Sequence, residues 1–445
     1  MPTRFLRMPT TRILDQGRRP CYHGCEKGTA KVLARRTRYG YRSAGTGKPS
    51  YSSFTRGDSP MNFIRKNVTA GAVCTVAIVL ALASSTPASA TGAPFKHPGA
   101  IALDHDGHLW VANMDYFGIT EIEASTGKFI RRIDARADGF LDPSGIAVSG
   151  NDVWVVSGSV TYQNGKSKYG RVTEIDATTG VVVRVINLKK HGFTGLSGVS
   201  ADARHVWVTA DGGEQVAELS SVTGKVLHAF HWRNSLVESS SIATYGGLVW
   251  IPNPEGPVGL VERSDATGKR IRTITPTAMV APPDGGNKNR INMQPRFVAV
   301  DARFVWTGND QGLSYKLGGG SVTQINAATG KVVRTVDTAA DRFHANIQSI
   351  VSDGTHVWIV NGSVYTRGGR RGDSITELNA LNGSLIRVVQ LHDGIYSDPV
   401  GLVSNGVDVW VTDTAGGAIG IGSVIEFNAA TSAVVRVIGH CCSGQ

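Results

Sequence analysis

Residues 295–336 read PRFVAVDARFVWTGNDQGLSYKLGGGSVTQINAATGKVVRTV and hold four short β patterns, FVAV, FVWTG, SVTQI and KVVRTV. A turn or a Gly-rich loop separates each pattern from the next. The unit recurs along the chain, anchored by Trp110, Trp154, Trp207, Trp250, Trp306, Trp358 and Trp410, each preceded by Leu or Val. These anchors stand 44, 53, 43, 56, 52 and 52 residues apart. A period of about 40–50 residues with four strands per unit is the pattern of a β-propeller. Seven copies predict an all-β, seven-bladed propeller with four antiparallel strands per blade. The eighth tryptophan, Trp232, falls outside the register.

Each part of the unit has a physical reason. Small residues open the first strand: Ala100, Gly145, Gly198, Ser241, Ser349 and Gly401. That strand is expected to be innermost, where seven blades crowd the axis and bulky side chains do not fit. Phe297 breaks the rule in blade 5. Alternation along the second strand directs Trp toward the blade-to-blade interface. The third and fourth strands meet at a recurring turn, such as AATGK at 327–331, whose Gly supplies a positive φ. Blade 7 carries Ser432 there instead. All repeats run in one phase, so the ring is expected to close through side-chain packing rather than a shared strand.

This repeat resembles the YVTN (YncE-like) propeller family, and more loosely the NHL-repeat and streptogramin-lyase propellers. Residues 408–438, DVWVTDTAGGAIGIGSVIEFNAATSAVVRVI, are the most similar to a YVTN unit. The resemblance spans roughly residues 97–438. It implies the fold and leaves the function open, because propellers host binding proteins and enzymes alike.

The N-terminal part reads differently. Residues 1–60 carry 13 Lys and Arg against 3 Asp and Glu with few aliphatics, the composition of a disordered basic leader. Met61 then starts a basic head with Arg65 and Lys66, an apolar run from Val68 to Ala83 and the small-residue ending Ala88-Ser89-Ala90. Residues 61–90 therefore read as a secretory signal peptide cut after Ala90, and residues 1–60 as an over-extended translation start. The rival reading is an uncleaved anchor, although the run is short for a span of about 20 residues. A secreted, extracytoplasmic domain over residues 91–445, with no stable membrane span after cleavage, is the expectation. The whole chain is +11, but the leader and signal carry that excess and residues 91–445 stand near −1. Nucleic-acid binding needs a basic footprint and gains no support.

Several motifs resolve into turns. The repeated TGK lacks the earlier Gly of a phosphate loop. No H-E-x-x-H or G-x-S-x-G occurs, which removes the zincin and nucleophile-elbow readings. Asp104-His105-Asp106-Gly107-His108 looks like a metal cluster, yet by register it is the first hairpin turn of blade 1. Cys21 and Cys25 have no partner pair at zinc-site spacing. Cys441 and Cys442 suit tail pinning, pairing between chains or an unpaired tail, and Arg371-Gly372-Asp373 is a lone adhesion-type tripeptide.

Alignment of the blades gives the stronger lead. Before the innermost strand come His97, Asp142, Gly195, Glu238, Gln294 (with Arg296 beside it), Asn346 and Asp398. Three residues after each Trp come Asn113, Ser157, Ala210, Asn253, Asn309, Asn361 and Asp413. Both positions belong to one face, so a polar, oxygen-rich channel mouth is expected, of a kind that suits Ca²⁺ or Mg²⁺. The same face carries the long loops of blades 2, 5 and 6, with Tyr162, Tyr169, Tyr315, Tyr365 and Arg367. Tyr offers a stacking face and Arg a fork for anions, which points to a protein, saccharide or cell-wall ligand. Residues 275–293, rich in Pro, Gly and Asn, read as a lid.

Two functions follow. The first is a ligand- or partner-binding scaffold that performs no chemistry. The second, implied by the looser resemblance, is a metal-assisted lyase or lactone hydrolase. There Asp142, Glu238, Asn346 or Asp398 would hold the ion, with His97 or His344 as base.

Overall fold

Alternation of β-branched and small residues folds the quoted unit into one antiparallel sheet, with strands Gln294–Val300, Phe304–Asp310, Ser321–Asn326 and Val332–Val336. The computed structural model describes residues 94–439 except 115–117, 135–141, 159–169, 211–214, 232–240, 254–258, 276–293, 311–319, 337–346, 363, 367–368, 372, 392–397 and 415–421. Seven such four-stranded sheets form, each with its strands in sequence order. A short ribbon, Val364–Thr366 with Gly369–Arg371, branches from blade 6. The innermost strands are Pro98–Leu103, Pro143–Ser149, Leu196–Ala201, Ala243–Tyr245, Gln294–Val300, Ile347–Ser352 and Pro399–Ser404. Each adjoins the innermost strands of the blades on either side, so the seven blades make a closed ring. Among the described residues no helix is long and apolar enough to cross a membrane.

The seven anchoring tryptophans are buried, and they pack across the seams. Trp110 joins Ile146, Val153 and Ile175 of blade 2, and Trp358 joins Leu402, Val409 and Phe427 of blade 7. Trp410 closes the circle against Leu109, Val111 and Ile122 of blade 1. No strand is exchanged there, as the uniform phase predicts. Instead the Thr412 hydroxyl donates to the carbonyl of Gly99 (2.6 Å), while the missing Cβ of Gly401 lets the two backbones approach. Phe95, fully buried, seals the same joint.

A second ring lies toward the rim, one that the repeat alignment does not foresee. Opposite the seven tryptophans stand Glu121, Glu174, Glu218, Glu262, Gln324, Glu377 and Glu426. Across from these on the fourth strand are Arg131, Arg184, His228, Arg272, Arg334, Arg387 and Arg436. Five Arg–Glu pairs meet at 2.5–2.7 Å. The arginine then crosses the seam: Arg131 donates to Thr178 O, Arg184 to Val222 O, Arg272 to Ala328 O and Arg387 to Ala430 O, at 2.9–3.1 Å. Those carbonyls belong to the turns between third and fourth strands of the following blade. The turn glycines have φ between +64° and +71°, and a Cβ on Gly180 or Gly330 would strike the crossing arginine. Ser432 keeps the left-handed conformation at φ 55°. Burial pushes the Glu121, Glu174, Glu262, Glu377 and Glu426 carboxyls above the ordinary range, and the neighbouring arginines pull them back in part.

Candidate ligand site at the propeller axis

The ladder between first and second strands slips by one residue in six blades, in all but blade 4. A bulge of this kind bends the strand and re-aims its extra residue. Ser144, Arg296 and Gln348 are the extra residues of blades 2, 5 and 6. All three line a cavity of about 670 Å³ at the axis, to which every blade contributes. Small residues dominate the wall as expected: a Cβ on Gly145 would meet Ser197 O at 2.8 Å, and one on Gly401 would meet Gly99 O at 2.2 Å.

The wall has two arcs. Blades 2 to 6 present Asp142, Ser144, Ser197, Ser241, Arg296, Gln348 and Ser349, whereas blades 7 and 1 present Val400, Leu402, Ala100, Ile101 and Met114. Phe297 and Ile347 add apolar surface beside Arg296 and Gln348. The Ser144 hydroxyl donates to Leu196 O (2.6 Å), which fixes its lone pairs and ties blade 2 to blade 3. Asp142 and His97 hold positive φ (47° each), a conformation costly for residues with a Cβ, and Gly195 takes the same turn in blade 3. One face of the cavity thus offers a cation, an anion and hydroxyls, and the other offers hydrocarbon.

Of the residues singled out from sequence, Asp142 and Arg296 reach this wall. Asn113, Asn309, Asn361 and Asp413 are fully buried and lie within their own blades. Asn113 donates to Thr120 Oγ1 (3.0 Å), Asn309 to Thr323 Oγ1 (2.9 Å) and Asn361 to Thr376 Oγ1 (3.0 Å), while Asp413 accepts from the Asp398 N–H (2.9 Å). The three asparagines lock the second strand to the third, and none of the four has surface at the mouth. Asn253 is buried at the end of its strand, and Asp398 is half-buried and accepts from Thr414 Oγ1 (3.0 Å). Gln294 opens the innermost strand of blade 5 and Tyr365 lies in the blade 6 ribbon. Their side chains, and all of Glu238, Asn346, His344, Tyr162, Tyr169, Tyr315, Arg367 and residues 276–293, lie outside the described residues.

The missed wall residues share a signal. Ser144, Ser197, Gln348 and Val400 each sit ten residues before the Trp of their blade, the position that Arg296 holds in blade 5. Two other motifs resolve as well. Asp104 Oδ1 accepts from the N–H groups of Asp106 (3.0 Å) and His108 (2.8 Å), so the Asp-His-rich stretch of blade 1 is a turn. Asp373 of the adhesion-type tripeptide is 3% exposed, so its carboxylate is not presented to a receptor.

No protein-family model matches the chain, the YVTN repeat included, and no curated protein matches it in sequence. Solved structures do. A streptogramin B lyase aligns with a TM-score of 0.51 and 15% identity, covering 72% of this chain and 91% of the lyase. Virginiamycin B lyase from Staphylococcus aureus aligns with a TM-score of 0.50 and 15% identity, covering 71% and 91%. U3-55K aligns with a TM-score of 0.51 and 10% identity, covering 72% and 89%. At these identities the likeness is one of fold: the chain is a seven-bladed β-propeller.

Proposed function

We propose that this chain is an exported binding scaffold whose ligand enters the axial cavity. The observation that carries the reading is the wall itself. A volume of about 670 Å³ falls in the roughly 300–1,000 Å³ range of small-molecule sites. Its polar arc converges on Arg296, Gln348 and Asp142 opposite an apolar arc. This favours a ligand with one hydrocarbon face and one edge bearing hydroxyls and a carboxylate or phosphate, such as a saccharide or cell-wall fragment. The apolar run after Met61 supports export, and mature protein beginning at Thr91 is the expected product. Recovery of residues 1–60 from the cellular protein would count against it.

The test is a thermal melt against a panel of acidic saccharides and cell-wall fragments. A ligand of the folded state stabilises it by about 2.7 kcal/mol at a hundredfold excess over its Kd. A panel without any shift sinks this ligand class. The second reading, a metal-assisted lyase, draws on the shared fold with two lyases and on Asp142 in the wall. It requires that Ca²⁺ or Mg²⁺ raise the melting midpoint and that Asp142→Asn abolish the rise.

A further inference from the structure

The seam between blades 3 and 4 departs from the other six. Blades 1, 3 and 6 each place a His between a turn aspartate and the buried rim glutamate, with His108 beside Asp104 (3.5 Å) and Glu121 (3.2 Å) in blade 1. His205 Nδ1 lies 3.6 Å from Asp202 Oδ1 and its Nε2 3.8 Å from Glu218 Oε1. His356 stands likewise between Asp353 (3.5 Å) and Glu377 (3.6 Å). The next blade then packs a small residue against this group: Ala124, Ala177, Ser221, Ala327, Ala380 or Ala429 occupies that position around the ring. In blade 4 alone the position is Asp265.

Asp202, His205 and Asp265 each offer a ligand atom, all within 4.8 Å of one another. Asp202 Oδ1 caps its own turn, accepting from the N–H groups of Arg204 (2.7 Å) and His205 (2.9 Å). Its Oδ2 is buried without a hydrogen-bond partner among the described residues, and so is His205 Nδ1. The comparison with other seams explains the first orphan. Asp301 Oδ2 accepts from Ser352 of the next blade (2.5 Å), and Asp353 Oδ2 from Ser404 (3.4 Å). Thr244 is the equivalent hydroxyl of blade 4, but it is paired with Ser200 (2.8 Å). A buried carboxylate oxygen left this way is costly unless a cation satisfies it.

We propose that Asp202, His205 and Asp265 bind a divalent transition-metal ion of the zinc class, which joins blade 3 to blade 4. One imidazole nitrogen with two carboxylates suits zinc, whereas Ca²⁺ and Mg²⁺ favour oxygen-only sets. Movement of roughly an ångström per ligand brings the three atoms to bonding distances of about 2.0–2.2 Å, with water completing the shell. Glu218 faces Nε2 and is held by His228 Nδ1 (2.7 Å), the carboxylate support that orients a metal-bound imidazole.

The full chain, stripped with EDTA, is titrated calorimetrically with ZnCl₂ alongside Asp265→Asn, His205→Gln and His356→Gln. The wild type is expected to bind one equivalent that both Asp265→Asn and His205→Gln lose, or bind more than about 100-fold more weakly, beyond what loss of a supporting residue costs. His356→Gln, at the seam with Ala429, retains it. Co²⁺ in that equivalent shows no thiolate charge-transfer band, which separates it from the cysteines. Circular dichroism checks that the near-isosteric variants fold, and each alone suffices if the other does not. Wild-type titration curves in both variants, loss of the equivalent in His356→Gln, or no cysteine-independent equivalent in the wild type would each overturn the assignment.

Discussion

The rim and the axis of this propeller are built from the same repeats and obey opposite rules. At the rim the Glu–Arg clasp recurs with two substitutions: blade 3 has His228 for the arginine, and blade 5 has Gln324 for the glutamate, whose amide still reaches Ala380 O of the next blade (2.9 Å). At the axis the extra residue of the bulge differs between blades 2, 5 and 6: Ser144, Arg296 and Gln348 are three answers at one position. Repetition holds seven sheets in a ring, and variation gives the ring one chemically distinct cavity. A residue that repeats is read as architecture; a residue that breaks the repeat at a wall is read as recognition.

Rim and seam substitutions should therefore lower stability and leave ligand binding alone. The largest effect is expected for Trp358→Ala, which empties a seam and should cost about 3–5 kcal/mol in urea denaturation. Arg387→Ala leaves Glu377 buried beside no arginine and removes the bond to Ala430. Because Arg387 is 29% exposed, its loss should fall below the ~3–5 kcal/mol of a fully buried pair, at about 2–3 kcal/mol. A smaller, pH-dependent effect follows from the raised rim carboxyls. Their folded values exceed 4.5, so the native state binds more protons than the unfolded chain above that pH. The contribution is complete below pH 4.5 and is lost as pH rises through the raised values. Glu377→Gln should flatten this decline in melts across a pH series. An unchanged slope would mean that Arg387 and His356 keep the group ionised.

The sequence made the blades, their number and the Trp seams legible because periodicity and burial act on every copy alike. It also made the turn glycines legible, since positive φ selects residue type directly. The wall was harder to read. Asn113, Asn309 and Asn361 align as a polar ring, but their amides meet threonines one strand away, a pairing visible only once strands are in register. Ser144 and Gln348 stayed hidden because a bulge, which no local composition announces, turns them inward. The Glu–Arg clasp was blurred by loop length. Its glutamate follows the Trp by 11 residues in blade 1, at Glu121, and by 20 in blade 2, at Glu174, because a variable loop lies between the two strands.

In the proposed division of labour, the axial cavity binds and the rim holds. The most direct measurement is the ligand-induced rise in melting midpoint for wild type, Arg296→Ala and Arg387→Ala, using one ligand that stabilises the wild type. Arg296→Ala is expected to lose the rise, whereas Arg387→Ala lowers the midpoint and keeps the rise. An undiminished rise in Arg296→Ala would place the ligand elsewhere and contradict it.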